Sequence, residues 1–222
     1  MWWSSSKGYV NAITNELVIC LAASLANRMG RGEGREFGAW AEMAWRWFEN
    51  SGMINSQGLV NDGLDEECRN NGQTAYSYLQ GVVLEALVEL YRFSGKGGYL
   101  RTAYSLANSS IKALTDERGV VVEGCERNGG GGCDADQGIF KGVYVRGLMA
   151  LGKVGGGVEG LMREVIGGRA GSLWERGRGG GDGGMIGVRW TGPFEVEGAG
   201  FASQSSGLDC LVAEGWVGGG VE

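Results

Sequence analysis

The side chains able to do chemistry in this 222-residue sequence are carboxylates and thiols, because it holds no histidine. Without an imidazole there is no Ser-His-Asp triad, no Cys-His pair and no histidine-containing metal site. Of the five cysteines, Cys125 and Cys133 flank a short glycine loop and could bridge, and no CxxC spacing occurs. Cys20 and Cys210 lie inside apolar helical patterns and read as buried core thiols. Among the carboxylates, Asp62 stands in Asn61-Asp62-Gly63, a turn signature that also carries it toward a helix end. Asp65-Glu66-Glu67 reads as a solvated charge run. Asp134-Ala135-Asp136 lacks the further ligands and distal Glu of a calcium loop and reads as a helix start. No metal or cofactor site emerges.

Polar residues on otherwise apolar helices are the more informative set, since burying them without partners is costly. Asn11, Thr14, Asn15 and Glu16 open one such helix, Tyr78 and Gln80 a second, Lys141 lies in a third, and Gln204, Ser205 and Ser206 open a fourth. Helix capping by Thr14, Ser203 and Ser205 accounts for about half of this set. It does not account for Gln80 or Lys141.

The elements that position these groups read as helix along nearly the whole chain. Trp40, Met43, Ala44, Trp47 and Phe48 form one face of an amphipathic helix, and Leu100, Ala103, Ala107, Ile111 and Leu114 form another. Between them lie helices apolar on most sides, over 17–25, 82–91, 140–151 and 208–216, which implies burial on more than one side. The buried type begins near Asn11, Tyr76, Gly138 and Ser203, in steps of 65, 62 and 65 residues. The link Gly58-Leu59-Val60-Asn61-Asp62-Gly63 is echoed 61 positions later by Gly119-Val120-Val121-Val122-Glu123-Gly124. Such periods mark repeated helical hairpins, and they exceed the 34 residues of a tetratricopeptide unit. An all-α array fits, either an open helical solenoid or a closed toroid of inner and outer helices, and the long hairpins favour the toroid. It is incomplete, with about three hairpins and a final inner helix, read as a single domain over 1–222 cut at its front. Gly81, Gly142 and Gly147 inside the inner helices would let neighbours approach closely. Residues 154–187, with 14 glycines in 34 positions, should be weakly ordered, with an ill-defined outer helix over 158–166 and irregular chain over 177–184.

Lys+Arg 20 against Asp+Glu 26 gives a net charge of -6, which disfavours nucleic acid as a partner. No stretch approaches the ~20 apolar residues of a membrane helix, and the first residues lack the basic and apolar regions of a signal peptide. Composition leaves oligomeric state open. Rings at Trp2, Trp3, Tyr9, Trp40, Trp45, Trp47, Tyr76, Tyr78 and Trp190, with many amides, suit a sugar-binding cleft. Core packing is the better assignment for Trp40 and Trp47.

The ordered series Trp2-Trp3, Tyr9-Val10-Asn11-Ala12-Ile13-Thr14-Asn15-Glu16-Leu17, Gly58 to Leu64, Tyr78-Leu79-Gln80-Gly81, Phe140-Lys141-Gly142-Val143 and Gln204 to Asp209 resembles glycoside hydrolase family 76, the endo-α-1,6-mannanases with fungal relatives at the cell wall. The resemblance implies an (α/α)6 toroid, an extracellular or cell-surface location, α-mannan or mannooligosaccharide as partner, and retaining hydrolysis by two carboxylates about 5 to 5.5 Å apart. The family's adjacent Asp-Asp pair lies upstream of the Trp-Trp segment, and no Asp-Asp dipeptide occurs in this sequence. Impaired catalysis, or a non-catalytic carbohydrate-binding relative, follows. Asn11, Thr14, Asn15, Tyr78, Gln80 and Lys141 carry over as substrate-cleft or scaffold positions. Glu16 and Asp62 are the first substitute carboxylates to weigh, before Glu123 and Asp134. Leu79 stands where the family has Asn, which removes a polar group from the cleft.

Overall fold

The computed structural model describes residues 1–127, 132–155, 159–181 and 184–218. Eight helices occur among them: α1 (Ala12–Arg28), α2 (Arg31–Asn50), α3 (Ser77–Ser94), α4 (Gly97–Leu114), the four-residue α5 (Gly124–Arg127), α6 (Phe140–Gly152), α7 (Glu159–Arg176) and α8 (Phe201–Gly218). Each buried-type helix begins within a few residues of its expected start. The chain divides into two compact units, Met1–Ser110 and Ile111–Glu222.

In the first unit, α1 packs on α2 and α3. Leu79, Leu84, Leu87 and Leu90 of α3, Ile19 and Ala23 of α1, and Ala41, Trp45 and Phe48 of α2 are all buried. The Trp45 and Phe48 rings lie 5.9 Å apart. Fully burying one leucine-sized side chain stabilises the fold by about 1.5–3 kcal/mol, so α3, lined with such residues, anchors the unit. The ends of α1 and α3 are tied by Glu89, whose carboxylate accepts from Asn27 at 2.9 Å and pairs with Arg28 at 3.0 Å and Arg92 at 2.6 Å. Burial pushes this carboxyl up, yet those hydrogen bonds outweigh it and hold it below the usual range.

In the second unit, α8 packs on α6 and α7. Val145, Ile166, Ala170, Leu173, Ile186, Trp190, Cys210 and Ala213 form its core. Gly142 is the crossing point of α6 and α8. A β-carbon there would stand 2.7 Å from the Ser206 Cα, and the Gly142 amide donates to Ser206 Oγ at 2.8 Å. Cys125 and Cys133 are disulfide-bonded, with their Cα atoms 5.1 Å apart.

The repeated link is a real structural unit. After α2, an antiparallel bridge joins Ile54 to Val60, and after α4 the same bridge joins Thr115 to Val121. Asn55 Oδ1 accepts from the amides of Gln57 and Leu59, and Asp116 Oδ1 accepts from those of Arg118 and Val120. A side-chain acceptor thus closes each turn in the same way. A third bridge, Arg178 to Ile186, follows α7.

Four sequence expectations are corrected. Trp40 and Trp47 are 58% and 45% exposed, not core. The helix offers two apolar stripes of equal period, and Ala41, Trp45 and Phe48 are the set that faces inward. Apolarity on most sides did not bury α1 and α8 all round, since Leu17, Leu21, Leu208 and Val212 are exposed. Cys20 is only half-buried, while Cys210 is buried. The outer helix of the glycine-rich segment runs to Arg176, ten residues past its expected end. Ile166, Arg169, Ala170 and Leu173 give it a buried face that outweighs the glycine cost. Of the 154–187 segment, 156–158 and 182–183 lie outside the described residues.

Candidate functional site

The first unit gathers most of the sequence-predicted residues around the start of α1. Asn11 caps this helix, its Oδ1 accepting from the Thr14 amide at 3.4 Å, so the cap is Asn11 and not Thr14. Asn15 donates to the Asn11 carbonyl at 2.7 Å and to the Met1 carbonyl at 3.1 Å. The stretch carrying Asp62 is laced to the same place. Ala12 donates to the Asp62 carbonyl at 2.7 Å, Leu64 donates to the Val10 carbonyl at 2.9 Å, and Asn11 and Gly63 form an antiparallel bridge.

On this frame the Tyr9 hydroxyl donates to Asp62 Oδ2, and Asn71 Nδ2 donates to the Tyr9 oxygen at 2.9 Å. Gly63 makes the contact possible: a β-carbon there would stand 2.6 Å from the Tyr9 hydroxyl and 2.5 Å from the Val10 carbonyl oxygen. Asn61-Asp62-Gly63 is therefore a close-approach segment paired with the helix start, and its glycine serves the neighbour rather than a turn. Burial raises the Tyr9 phenol, and the hydrogen bond to Asp62 adds to this. The Tyr76 and Tyr78 rings stack at 5.9 Å. Burial likewise raises the Tyr78 phenol, followed by the nearby charges of Asp62 and Glu16. Two carboxyls and three phenols thus share one neighbourhood.

Glu16 differs from Asp62 in being sealed. It is 0% exposed, and neither carboxyl oxygen has a hydrogen-bond partner among the described residues. Burial pushes its carboxyl well above the usual range, and its oxygens are out of reach of a substrate. Asp62 is half-buried, and it is Oδ2 that accepts from Tyr9.

Gln80 is a clamp. Its Oε1 accepts from the Val60 amide at 3.0 Å and its Nε2 donates to the Val60 carbonyl at 2.8 Å and the Tyr76 carbonyl at 3.1 Å. In the second unit Gln204 and Ser203 do the same for Ile186, through Oε1 at 3.0 Å and Oγ at 2.8 Å. Polar residues early in the inner helices therefore hold the bridge that follows an outer helix. Lys141, fully buried in the second unit, donates to Glu126 at 2.7 Å and to the Val188 carbonyl, with its ammonium 4.9 Å from the Trp190 ring centre. Leu79 is fully buried as well, so that position fills the core instead of lining a cleft. Glu123 is buried in the second unit, and Asp134 Oδ1 accepts from the Gln137 amide at 2.8 Å, as a helix start requires. Sequence reading counted Tyr9 only among the rings suited to a sugar-binding cleft and gave Asn71 no role. The available signal was Tyr9 inside the Tyr-Val-Asn-Ala stretch together with a glycine immediately after Asp62.

Among the described residues no group of His, Cys, Asp and Glu could hold a metal ion, and no helix is long and apolar enough to cross a membrane.

The family model for glycosyl hydrolase family 76 matches residues 1–215. Mannan endo-1,6-alpha-mannosidase DFG5 of Candida albicans is 25% identical over 95% of this chain and 47% of its own length. The chain thus spans about half the length of the curated relatives it matches. The GH76A alpha-1,6-mannanase of a Salegentibacter species superposes with a TM-score of 0.79 at 24% identity, covering 98% of this chain and 62% of that one. An inactive variant of that enzyme, with two consecutive aspartates replaced by alanine, is solved with alpha-1,6-mannotetrose. Dfg5 of Chaetomium thermophilum, in complex with glucosamine, superposes with a TM-score of 0.80 at 21% identity, covering 97% of this chain and 53% of that one. These structural likenesses show the fold, a helical-hairpin array of the α/α-toroid class.

Proposed function

This chain belongs to glycosyl hydrolase family 76, and from that membership we propose that it binds α-1,6-linked mannose chains as part of a mannan endo-1,6-α-mannosidase-like protein. The observation that carries the reading is the family match along residues 1–215. The neighbourhood of Tyr9, Asp62, Tyr76 and Tyr78 supports it chemically, since stacked rings cover the apolar faces of sugars and a carboxylate accepts their hydroxyls. Asn11, Thr14, Asn15, Gln80 and Lys141 act as scaffold, and Asp62 and Tyr78 are the positions that meet ligand.

The family reaction is retaining hydrolysis, in which one carboxylate attacks and a second donates and then withdraws a proton. Glu16 and Asp62 do not form that pair, because Glu16 has no accessible oxygen. With no Asp-Asp dipeptide in its sequence, the 222-residue chain binds mannan with little turnover. A cell-surface location fits the Cys125–Cys133 disulfide, which persists in oxidising compartments.

Calorimetric titration with α-1,6-mannotetraose, run beside a reducing-end assay on α-1,6-mannan, tests both parts. Saturable binding with negligible release of reducing ends is the expected result. Absence of binding refutes the ligand assignment, and steady release of reducing ends refutes the impaired-catalysis part alone.

A further inference from the structure

The backbone on both sides of Asp62 is fixed by hydrogen bonds, from the Asn61 amide to the Met53 carbonyl at 3.0 Å, from Ala12 to the Asp62 carbonyl at 2.7 Å and from the Asn71 amide to the Gly63 carbonyl at 3.0 Å. Only the torsions of its side chain remain to be set. Tyr9, 53 residues away, sets them by donating to Oδ2. The Asn71 amide donates to the same phenol oxygen at 2.9 Å, so the phenol accepts from Asn71 while its own proton points at Asp62. The direction of the chain is therefore Asn71 to Tyr9 to Asp62. The space that a side chain at position 63 would fill is given to the Tyr9 ring. Tyr76 lies in electrostatic range of Tyr9, and Tyr78 in range of Asp62, Glu16, Tyr76 and Tyr9. Tyr9 engages Oδ2, and Oδ1 is the second acceptor of the Asp62 carboxylate.

We propose that Tyr9 is a positioning residue, steadied by Asn71, that locks Asp62 Oδ2 so that Oδ1 is presented to a hydroxyl of a bound mannosyl unit. This rests on the ligand reading above, and its own content is how Asp62 is aimed. A rigid acceptor loses less freedom on binding than a rotating one, so the effect appears in affinity.

The test is a double-mutant cycle in α-1,6-mannotetraose affinity with wild type, Tyr9→Phe, Asp62→Asn and the double variant. Tyr9→Phe keeps the ring and removes only the hydroxyl. Each single change is expected to weaken binding by about tenfold, the scale of one hydrogen bond to a charged group. The double variant is expected to bind no worse than Asp62→Asn alone. Asp62→Asn also lowers the alkaline ultraviolet titration of one tyrosine, because the Asp62 hydrogen bond and charge that help raise Tyr9 are removed. If Tyr9→Phe does not fold, Asn71→Ala carries the same cycle, with loss in the wild-type background and none on Asp62→Asn. A wild-type chain that does not bind overturns the ligand reading and the proposal together. A binding wild type with Tyr9→Phe unchanged, or with equal loss in both backgrounds, overturns the positioning role alone.

Discussion

Replacing Glu16 by Gln isolates the cost of a buried acid in the first turns of α1. The side chain has no exposed surface, and desolvation is the sole cause that pushes its carboxyl upward. In the unfolded chain the same group releases its proton near the ordinary value of about 4.3. The stability that this raised value contributes is fully present below the unfolded value and is lost as pH rises toward and through the folded one. Over that interval the folded state retains a proton that the unfolded state has released, so stability falls by about 1.4 kcal/mol per pH unit. Between about pH 5 and about pH 7 the decline therefore continues for as long as Glu16 holds its proton. Glutamine has the same shape and no titration. It adds a cost of about 1–3 kcal/mol for an unpaired buried amide, and that cost does not change with pH. Urea unfolding followed by tryptophan fluorescence at the two pH values gives the difference directly. The wild-type decline should exceed that of Glu16→Gln, by at most about 1.4 kcal/mol for each pH unit between them. Equal declines would show that Glu16 is ionised and solvated in the folded protein, and the sealed-acid description would be wrong.

Gly63→Ala places a β-carbon 2.6 Å from the Tyr9 hydroxyl. Overpacking of this kind costs about 1–3 kcal/mol, and a lower thermal midpoint together with weaker mannotetraose binding is expected. An unchanged midpoint would mean that Tyr9 yields freely. Lys141→Met strands Glu126 in the interior and should cost about 3–5 kcal/mol in chemical denaturation, with Glu126→Gln in the same chain restoring part of it. Loss below 1 kcal/mol would mean that water reaches Glu126.

Periodicity made the hairpins legible because buried and amphipathic helices alternate on a fixed period. The links were legible because Asn55 and Asp116 close the same turn 61 residues apart. Facing was less legible. Two apolar stripes on α2 satisfy one helical period, and only packing against α1 and α3 decides that Trp45 goes in while Trp40 stays out. The polar residues of the inner helices stand out in the sequence, yet several of their partners are backbone groups of distant links, as with Gln80 on Val60, and no local pattern encodes such a pairing. The Tyr9–Asp62 contact has the same origin, a bond across 53 residues whose only local trace is a glycine.

The short helix that carries Glu126 also carries Cys125, so the covalent staple to Cys133 and the anion that neutralises Lys141 are neighbours on one turn of chain. Production of the protein in a reducing cytoplasm would remove the staple while the lysine still needs its counter-charge. Yield and solubility should then depend on the redox state of the host, and secretion into the periplasm or medium is the route that keeps this corner closed.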